Sequence, residues 1–480
     1  MNQPAFLLNA LLNKGVPLSN VNHPESSNPA TQFPQPGSLP GSVAEGAEEM
    51  SDALRGVNSE PAKLSVRELT PLFLAQLTIF MALVVPIGFS LAVKIGAIDP
   101  TNKNAVLALA IGVAGTIVLF TNPLVGVLSD RTRSRFGRRR PWLLVGLIVG
   151  TVGSVILGLS STSFVLIIGW CIALGGYSMF NQTLLTYLGD RLPESQRGKV
   201  MGISGTLTQI GPIVGIVVAG AFATQLGLIF LIPAAIAVLG SVWFIVAIKD
   251  AKFEGELPAF QLKSLTRGFY FNPRKHSNFG WVILSKSLVF VYIAFTSLYG
   301  VYLMMTRLGL DATQVSSLFA GISLGGIVLG TAGAIGGGFL SDKFHARKPF
   351  LIVAAFSLAL SAVTLGTATT LTQFVIGGLL SALGLGIYGS VDQALALDTL
   401  PSEENENGRY LSVFGLANAV PQAVGPLLAG AVLSFAGGNY TWVYLIAAGF
   451  AVLGALTIIP IKISRKPAQP AASSQLASVS

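Results

Sequence analysis

The sequence is almost without cysteine, short of histidine and short of charge, and each shortage removes a class of protein. A single cysteine, Cys171, forbids an intramolecular disulfide and any cysteine-cluster metal site. The three histidines, His23, His276 and His345, fall in the tail or in loops, so none stands ready to relay protons through apolar sequence. Charged residues make up 11% of the chain, against about a quarter in soluble domains. No G-x-x-x-x-G-K-[ST] loop occurs, which excludes a phosphate-binding loop of that type. Paired carboxylates, a Ser-His pair and a metal cluster are all missing outside the apolar runs. The expectation is therefore no enzyme, no cofactor and no metal.

What the chain has instead is apolar length. Hydrophobic residues make up 52% of 480, and they gather into runs able to cross a hydrocarbon core about 30 Å thick. The runs predict spans at about 70–94, 104–129, 141–159, 163–188, 198–223 and 227–249, then at 279–305, 313–340, 348–367, 371–396, 408–436 and 441–462. The net charge of +9 raises the question of nucleic acid, and the position of the cations answers it. Of the 30 Lys and Arg, 26 fall in tails and loops on one face, three (Lys94, Lys103, Arg307) on the other, and Lys286 within a span. That is the positive-inside bias of a plasma-membrane protein with both termini in the cytoplasm, and no nucleic-acid partner is needed to explain it.

The densest cationic turn is residues 126–141, Gly-Val-Leu-Ser-Asp-Arg-Thr-Arg-Ser-Arg-Phe-Gly-Arg-Arg-Arg-Pro. A degenerate copy follows half a chain later as Gly338-Phe339-Leu340-Ser341-Asp342-Lys343 and then Arg347-Lys348-Pro349. Other pieces repeat as well. Asp190-Arg-Leu-Pro193, Arg197-Gly198 and Gly211-Pro212 are echoed by Asp398-Thr-Leu-Pro401, Gly408-Arg409 and Gly425-Pro426. Tyr177, Asn181 and Gln182 of span 4 match Tyr388, Asp392 and Gln393 of span 10, in a frame three residues different from that of the two aspartates.

The pattern G-x-L-S-D-R-x-x-x-x-x-G-R-R-R-P, with its copy, resembles the loop 2–3 signature of the major facilitator superfamily. Its R-S-R-F-G-R-R-R-P form is most similar to the glycoside and sucrose-transporter branches. The resemblance implies an all-α integral membrane fold of 12 transmembrane helices in two six-helix bundles, flanking a site near the membrane midplane. The expected organisation is a cytoplasmic tail at 1–66, a first bundle at 67–249, a basic linker at 250–278, a second bundle at 279–463 and a tail at 464–480. The first tail, rich in Pro, Ser, Asn and Gly, reads as disordered. A monomer working with a small-molecule substrate, a coupling cation (a proton first) and the lipid bilayer is expected.

The resemblance implies gating of the cytoplasmic side by Gly126, Asp130, Arg131, Arg138, Arg139 and Arg140, and more weakly by Asp342, Lys343 and Arg347. Asp130 is expected to pair with Arg131 or Arg138 and to approach a helix of the other bundle. The alternative is a solvated loop that only sets topology. Within the apolar runs, Lys286 and Asp392 stand about 10 Å and 9 Å deep from the same side at 1.5 Å per residue. An unpaired charge there is costly, so the reading favours a Lys286–Asp392 pair that serves ion coupling. Snorkelling of Lys286 is the rival account.

In the resembled fold spans 1, 4, 7 and 10 line the cavity. That makes Gln76, Tyr177, Asn181, Gln182, Tyr292, Thr296, Tyr299, Tyr388 and Gln393 candidates for the substrate pathway, with helix-to-helix packing as their alternative. Gly384-x-Gly386-x-x-Gly389 matches a dinucleotide fingerprint but lies inside a span with no strand before it, and reads as packing. The favoured function is cation-coupled import of a sugar or glycoside. A proton-antiporting exporter is the first alternative, suggested by Gly211-Pro212 but weakened by Leu207 where that signature needs glycine. A non-transporting sensor or scaffold is the second.

Overall fold

The computed structural model describes residues 63–248, 250, 272, 274–399 and 407–461. Most of the expected 1–66 tail, most of the 250–278 linker with its cations Lys252, Lys263 and Arg267, and the 464–480 tail lie outside them. Among the described residues the regular structure is entirely helical. Twelve helices follow the twelve apolar runs: α1 (Val66–Ile98), α2 (Lys103–Arg131), α3 (Arg140–Leu159), α4 (Ser163–Arg191), α5 (Glu194–Ala221), α6 (Leu228–Ala247), α7 (Ser277–Leu298), α8 (Ala312–Lys343), α9 (Arg347–Gly366), α10 (Leu371–Asp398), α11 (Asn407–Phe435) and α12 (Tyr440–Leu456). A short helix, Gly300–Arg307, extends α7 beyond a break at Tyr299. Eleven are long and apolar enough to cross a membrane; α12, at 17 residues, is the short one.

The helix starts are written locally. Ser65 and Glu68 form a capping box at α1, and Asp311 and Gln314 form another at α8. Thr162 and Thr370 cap α4 and α10 in the same manner at repeat-related positions, each accepting from the backbone N–H three residues on. Pro141 opens α3 at a place where no backbone donor is required. Within α1, Pro86 supplies no N–H and its ring crowds the carbonyl four residues back. The register slips there into a π turn over Pro86–Ser90, with Leu91 N–H donating to Pro86 O.

The ends are finished by cations, and the four caps correct one sequence assignment. Lys94, placed by the charge tally in a far-face loop, is 2% exposed within α1. Its ammonium donates to Leu157 O (2.5 Å) and Gly158 O (2.8 Å) at the end of α3. Arg307 does the same for α9, donating to Gly366 O at 2.6 Å. On the opposite side Arg140 donates to Ile245, Val246 and Ile248 carbonyls at the end of α6, and Lys348 to Ile459 O after α12. The last carbonyls of a helix have no partner within it and carry partial negative charge, so they draw cations.

α1 packs on α5 and α6, and α4 on α2 and α3; in the second half α10 packs on α8 and α9, and α7 on α11 and α12. Small residues set the closest approaches. A Cβ on Gly146 would come within 2.8 Å of the Phe180 nitrogen, and one on Gly386 would overlap the Gly330 carbonyl. The dinucleotide-like glycines 384 and 386 are thus packing sites, as is Gly211, whose Cβ would meet Leu77 O of α1 at 2.5 Å.

The halves meet along α2–α11 and α5–α8. The α2–α11 seam is tight at the end remote from the arginine loop. Gly430 lies against Ala108 (a Cβ would come within 2.6 Å of its methyl), Gly112 against Leu427, and Gly115 against Ala423. Gly220 meets Ser316 at the same end of α5–α8. Tyr299 and Tyr440 both donate to Asn104 there, at 3.2 Å and 2.8 Å, and Lys103 sits 5.1 Å over the Tyr302 ring. Toward the loop end α2 and α11 part around a cavity of about 540 Å³.

Candidate functional site

Three features stand where mechanism is expected: a charge cluster at each loop end, a buried ion pair, and the cavity between the halves. In the first half the cluster is built on Arg139, only 2% exposed although it sits in a loop. Its guanidinium reaches Asp130 at 2.5 Å, Asp190 at 2.9 Å and Ser129 Oγ at 2.5 Å, which ties the ends of α2 and α4 to the start of α3. Arg138 adds a second bond to Asp190 at 2.6 Å. Asp250 closes the other side, accepting from the Arg139 and Arg140 backbone N–H groups at 2.5 and 2.9 Å. A carboxylate at a helix N-terminus satisfies donors that the helix cannot.

The second half repeats the arrangement. Arg347 pairs with Asp342, with Asp398 at 3.3 Å and with Ser341 Oγ at 2.9 Å. Arginines, partner aspartates and capping cations are matched at one spacing (139 to 347, 190 to 398, 140 to 348). The tyrosine frame (177 to 388) is three residues longer, close to one helical turn. Tyr177 and Tyr388 therefore do not occupy equivalent places in this register. Tyr177 bonds Ser154 at 2.9 Å, whereas Tyr388 shares a 3.4 Å contact with Ser285 and faces Asp392.

A partner of Asp130 is Arg139, the arginine folded inward beneath α2. The Asp130 carboxylate is more than half exposed, and the pair with Arg139 lies within its own half. Gly126 has open space where a Cβ would project, and Lys343 is exposed.

Lys286 and Asp392 are brought together. Nζ lies 3.4 Å from Oδ2, with the side chains 13% and 6% exposed. The ammonium also sits 3.3 Å from the centre of the Phe414 ring, an aromatic face that attracts cations. The pair thus joins α7, α10 and α11 inside the second half.

The cavity is walled by α1, α2, α4, α7 and α11. Its polar groups are Asn122, Ser178, Ser297, Ser412, Asn418 and Gln422, and Gln422 donates to Asn418 within α11. Among the described residues of the lining none of the nine proposed pathway residues appears, and α10 contributes nothing. Most of them are occupied elsewhere. Tyr292 bonds Ser361 and Ser381 between helices, Thr296 bonds its own helix, and Tyr299 belongs to the far-end seam. Gln76 is 2% exposed, Asn181 and Gln182 are half-buried, and Gln393 is exposed. The signal for the actual lining was present: Asn418 and Gln422 stand four apart and share one helix face, and Asn122 interrupts an apolar run.

Two pseudo-equivalent helical halves, a charge cluster at one end of each and a cavity of about 540 Å³ between them are the arrangement expected of the superfamily that the loop motif resembles. The comparisons agree. The family model of the Major Facilitator Superfamily matches residues 72–337 and 284–479, and the chain belongs to that superfamily. It is 33% identical over 156 residues to the uncharacterized MFS-type transporter YhcA of Bacillus subtilis, a match spanning 32% of this chain and 27% of that one. The hexuronate transporter of the same organism is 24% identical over 370 residues, covering 70% of this chain and 81% of its own. The crystal structure of the nucleoside transporter NupG superposes with a TM-score of 0.66 at 13% identity, over 83% of this chain and 99% of that one. The chain spans about a quarter of the length of YhcA.

Proposed function

We propose that the chain imports a small polar solute, a sugar or glycoside first, by alternating access in symport with a cation, a proton first. The observation that carries this reading is the cavity itself: about 540 Å³ between the halves, with the glycine seam closed at one end only. If the arginine loop is cytoplasmic, as its charge requires, this is the inward-facing member of the cycle. The protein then sits in the plasma membrane as a monomer with both termini inside. Cation binding falls to the Lys286–Asp392 pair, an ionisable pair buried within one half and next to α11, a helix that both lines the cavity and forms the seam. The loop clusters act on the equilibrium between states. The glycoside branch rests on the loop motif; the hexuronate-transporter likeness keeps the solute within hydroxylated rings.

The test is accumulation in proteoliposomes holding the full chain. A labelled hydroxylated solute should concentrate against its gradient when the lumen is alkaline, and an uncoupler should abolish the excess. Equilibration to equal concentration with or without the pH gradient would remove proton coupling.

A further inference from the structure

The cavity wall carries an inference that the loop motif and the relatives do not. Its six polar side chains are amides and hydroxyls, and they sit among aliphatic residues such as Leu83, Ile87 and Leu416. Among the described residues of the lining no side chain is charged and none is aromatic. The amides are divided between the halves. Asn122 belongs to α2, Asn418 and Gln422 to α11, and these are the two helices that form the seam above. With Gln422 Nε2 donating to Asn418 Oδ1, the pair still offers Asn418 Nδ2 as a donor and Gln422 Oε1 as an acceptor. One donor beside one acceptor matches two neighbouring hydroxyls of a ring.

We infer that this cavity takes an uncharged amphipathic solute, a hydroxylated ring bearing an apolar portion, bridged between Asn122 of one half and the Asn418–Gln422 pair of the other. A carboxylate or phosphate entering the same space would exchange its water for neutral donors and aliphatic wall, with no cation to meet it. The likeness to a hexuronate transporter would call for such a cation. A ligand bonded to both α2 and α11 also favours the state in which their loop ends approach, which links binding to closure. The inference rests on the transporter reading for its setting and adds the charge and polarity of the solute.

Phenyl β-glucoside and phenyl β-glucuronide differ only in a hydroxymethyl against a carboxylate and so isolate the claim. Their binding to the purified full chain is measured by calorimetric titration. The glucoside is expected to bind at least about tenfold tighter. Asn122→Leu and Asn418→Leu should each weaken the glucoside by roughly tenfold. Asn122→Arg, which places a cation in the wall, should narrow or reverse the preference, and this gain of binding cannot come from a misfolded protein. Equal or tighter binding of the glucuronide by the unsubstituted chain overturns the inference, as does failure of the glucoside to bind. If the glucuronide nevertheless accumulates under a pH gradient, the transporter reading stands while this one falls.

Discussion

Lys286 and Asp392 show what a single residue reveals in a sequence with so few charges. In an apolar run a lone charge must find a partner, and two charges at matched depth on helices of one half have few alternatives. Their meeting at 3.4 Å follows from that scarcity. Removing one member leaves the other buried and unpaired, at a cost of about 3–5 kcal/mol. Asp392→Asn and Lys286→Met should each destabilise the protein by that order, and the double variant should recover most of the loss. Denaturation of the purified variants gives the cycle, and additive losses would show that the two do not act together. Lys94 is the contrasting case. Five residues before Asp99-Pro100 it reads as the edge of a loop. Its partners, the Leu157 and Gly158 carbonyls, are backbone groups that every residue possesses. A contact with backbone leaves no trace in the partner's sequence, so the burial of Lys94 was not legible. The same holds for Asp250, whose partners are two backbone N–H groups.

At the scale of elements the helices were legible to within a few residues, because span length is imposed by the hydrocarbon core and several starts carry Ser, Thr, Asp or Asn caps. The arginine choice in the loop was not, since Arg138, Arg139 and Arg140 are alike in composition and differ only in direction. The structure turns Arg139 beneath α2, Arg138 toward Asp190 and Arg140 onto the end of α6. This orders the expected effects. Asp130→Asn keeps an acceptor for Arg139 at an exposed position, and an exposed pair contributes about 0–1 kcal/mol. It should slow turnover while leaving stability near normal. Arg139→Ala leaves Asp130 and Asp190 facing each other and Ser129 without its donor, and should cost both turnover and melting temperature. Initial uptake rates and thermal unfolding separate the two. A drop in stability for Asp130→Asn as large as that for Arg139→Ala would contradict the arrangement. The cavity wall was legible only in part. Spans 1, 4 and 7 supply part of it, as the resemblance implies, whereas the part nearest the seam belongs to α2 and α11, which the resemblance did not name.

For the whole molecule the proposed orientation rests on charge asymmetry, which favours loops 2–3, 4–5, 6–7, 8–9 and 10–11 sharing the cytoplasm with both termini. Single cysteines at Lys103 and Arg135 in a Cys171→Ala background, treated with an impermeant thiol reagent on intact cells, should label at 103 only. Labelling at 135 from outside would invert the topology. The repeat that underlies this symmetry was legible as motif copies, but its register became clear only when Arg139 and Arg347 were seen to hold Asp190 and Asp398 in the same way.

The four cationic caps have a mechanical consequence. In each half the third helix is fastened at both ends, α3 to α1 through Lys94 and to α6 through Arg140, α9 to the end of α7 through Arg307 and to the end of α12 through Lys348. Three rods joined at alternate ends form a braced truss, which resists sliding of one rod past another. Compliance is thereby concentrated in the small-residue seam between the trusses, and in the proposed cycle the work done by a bound solute would go into rocking them rather than into bending either one.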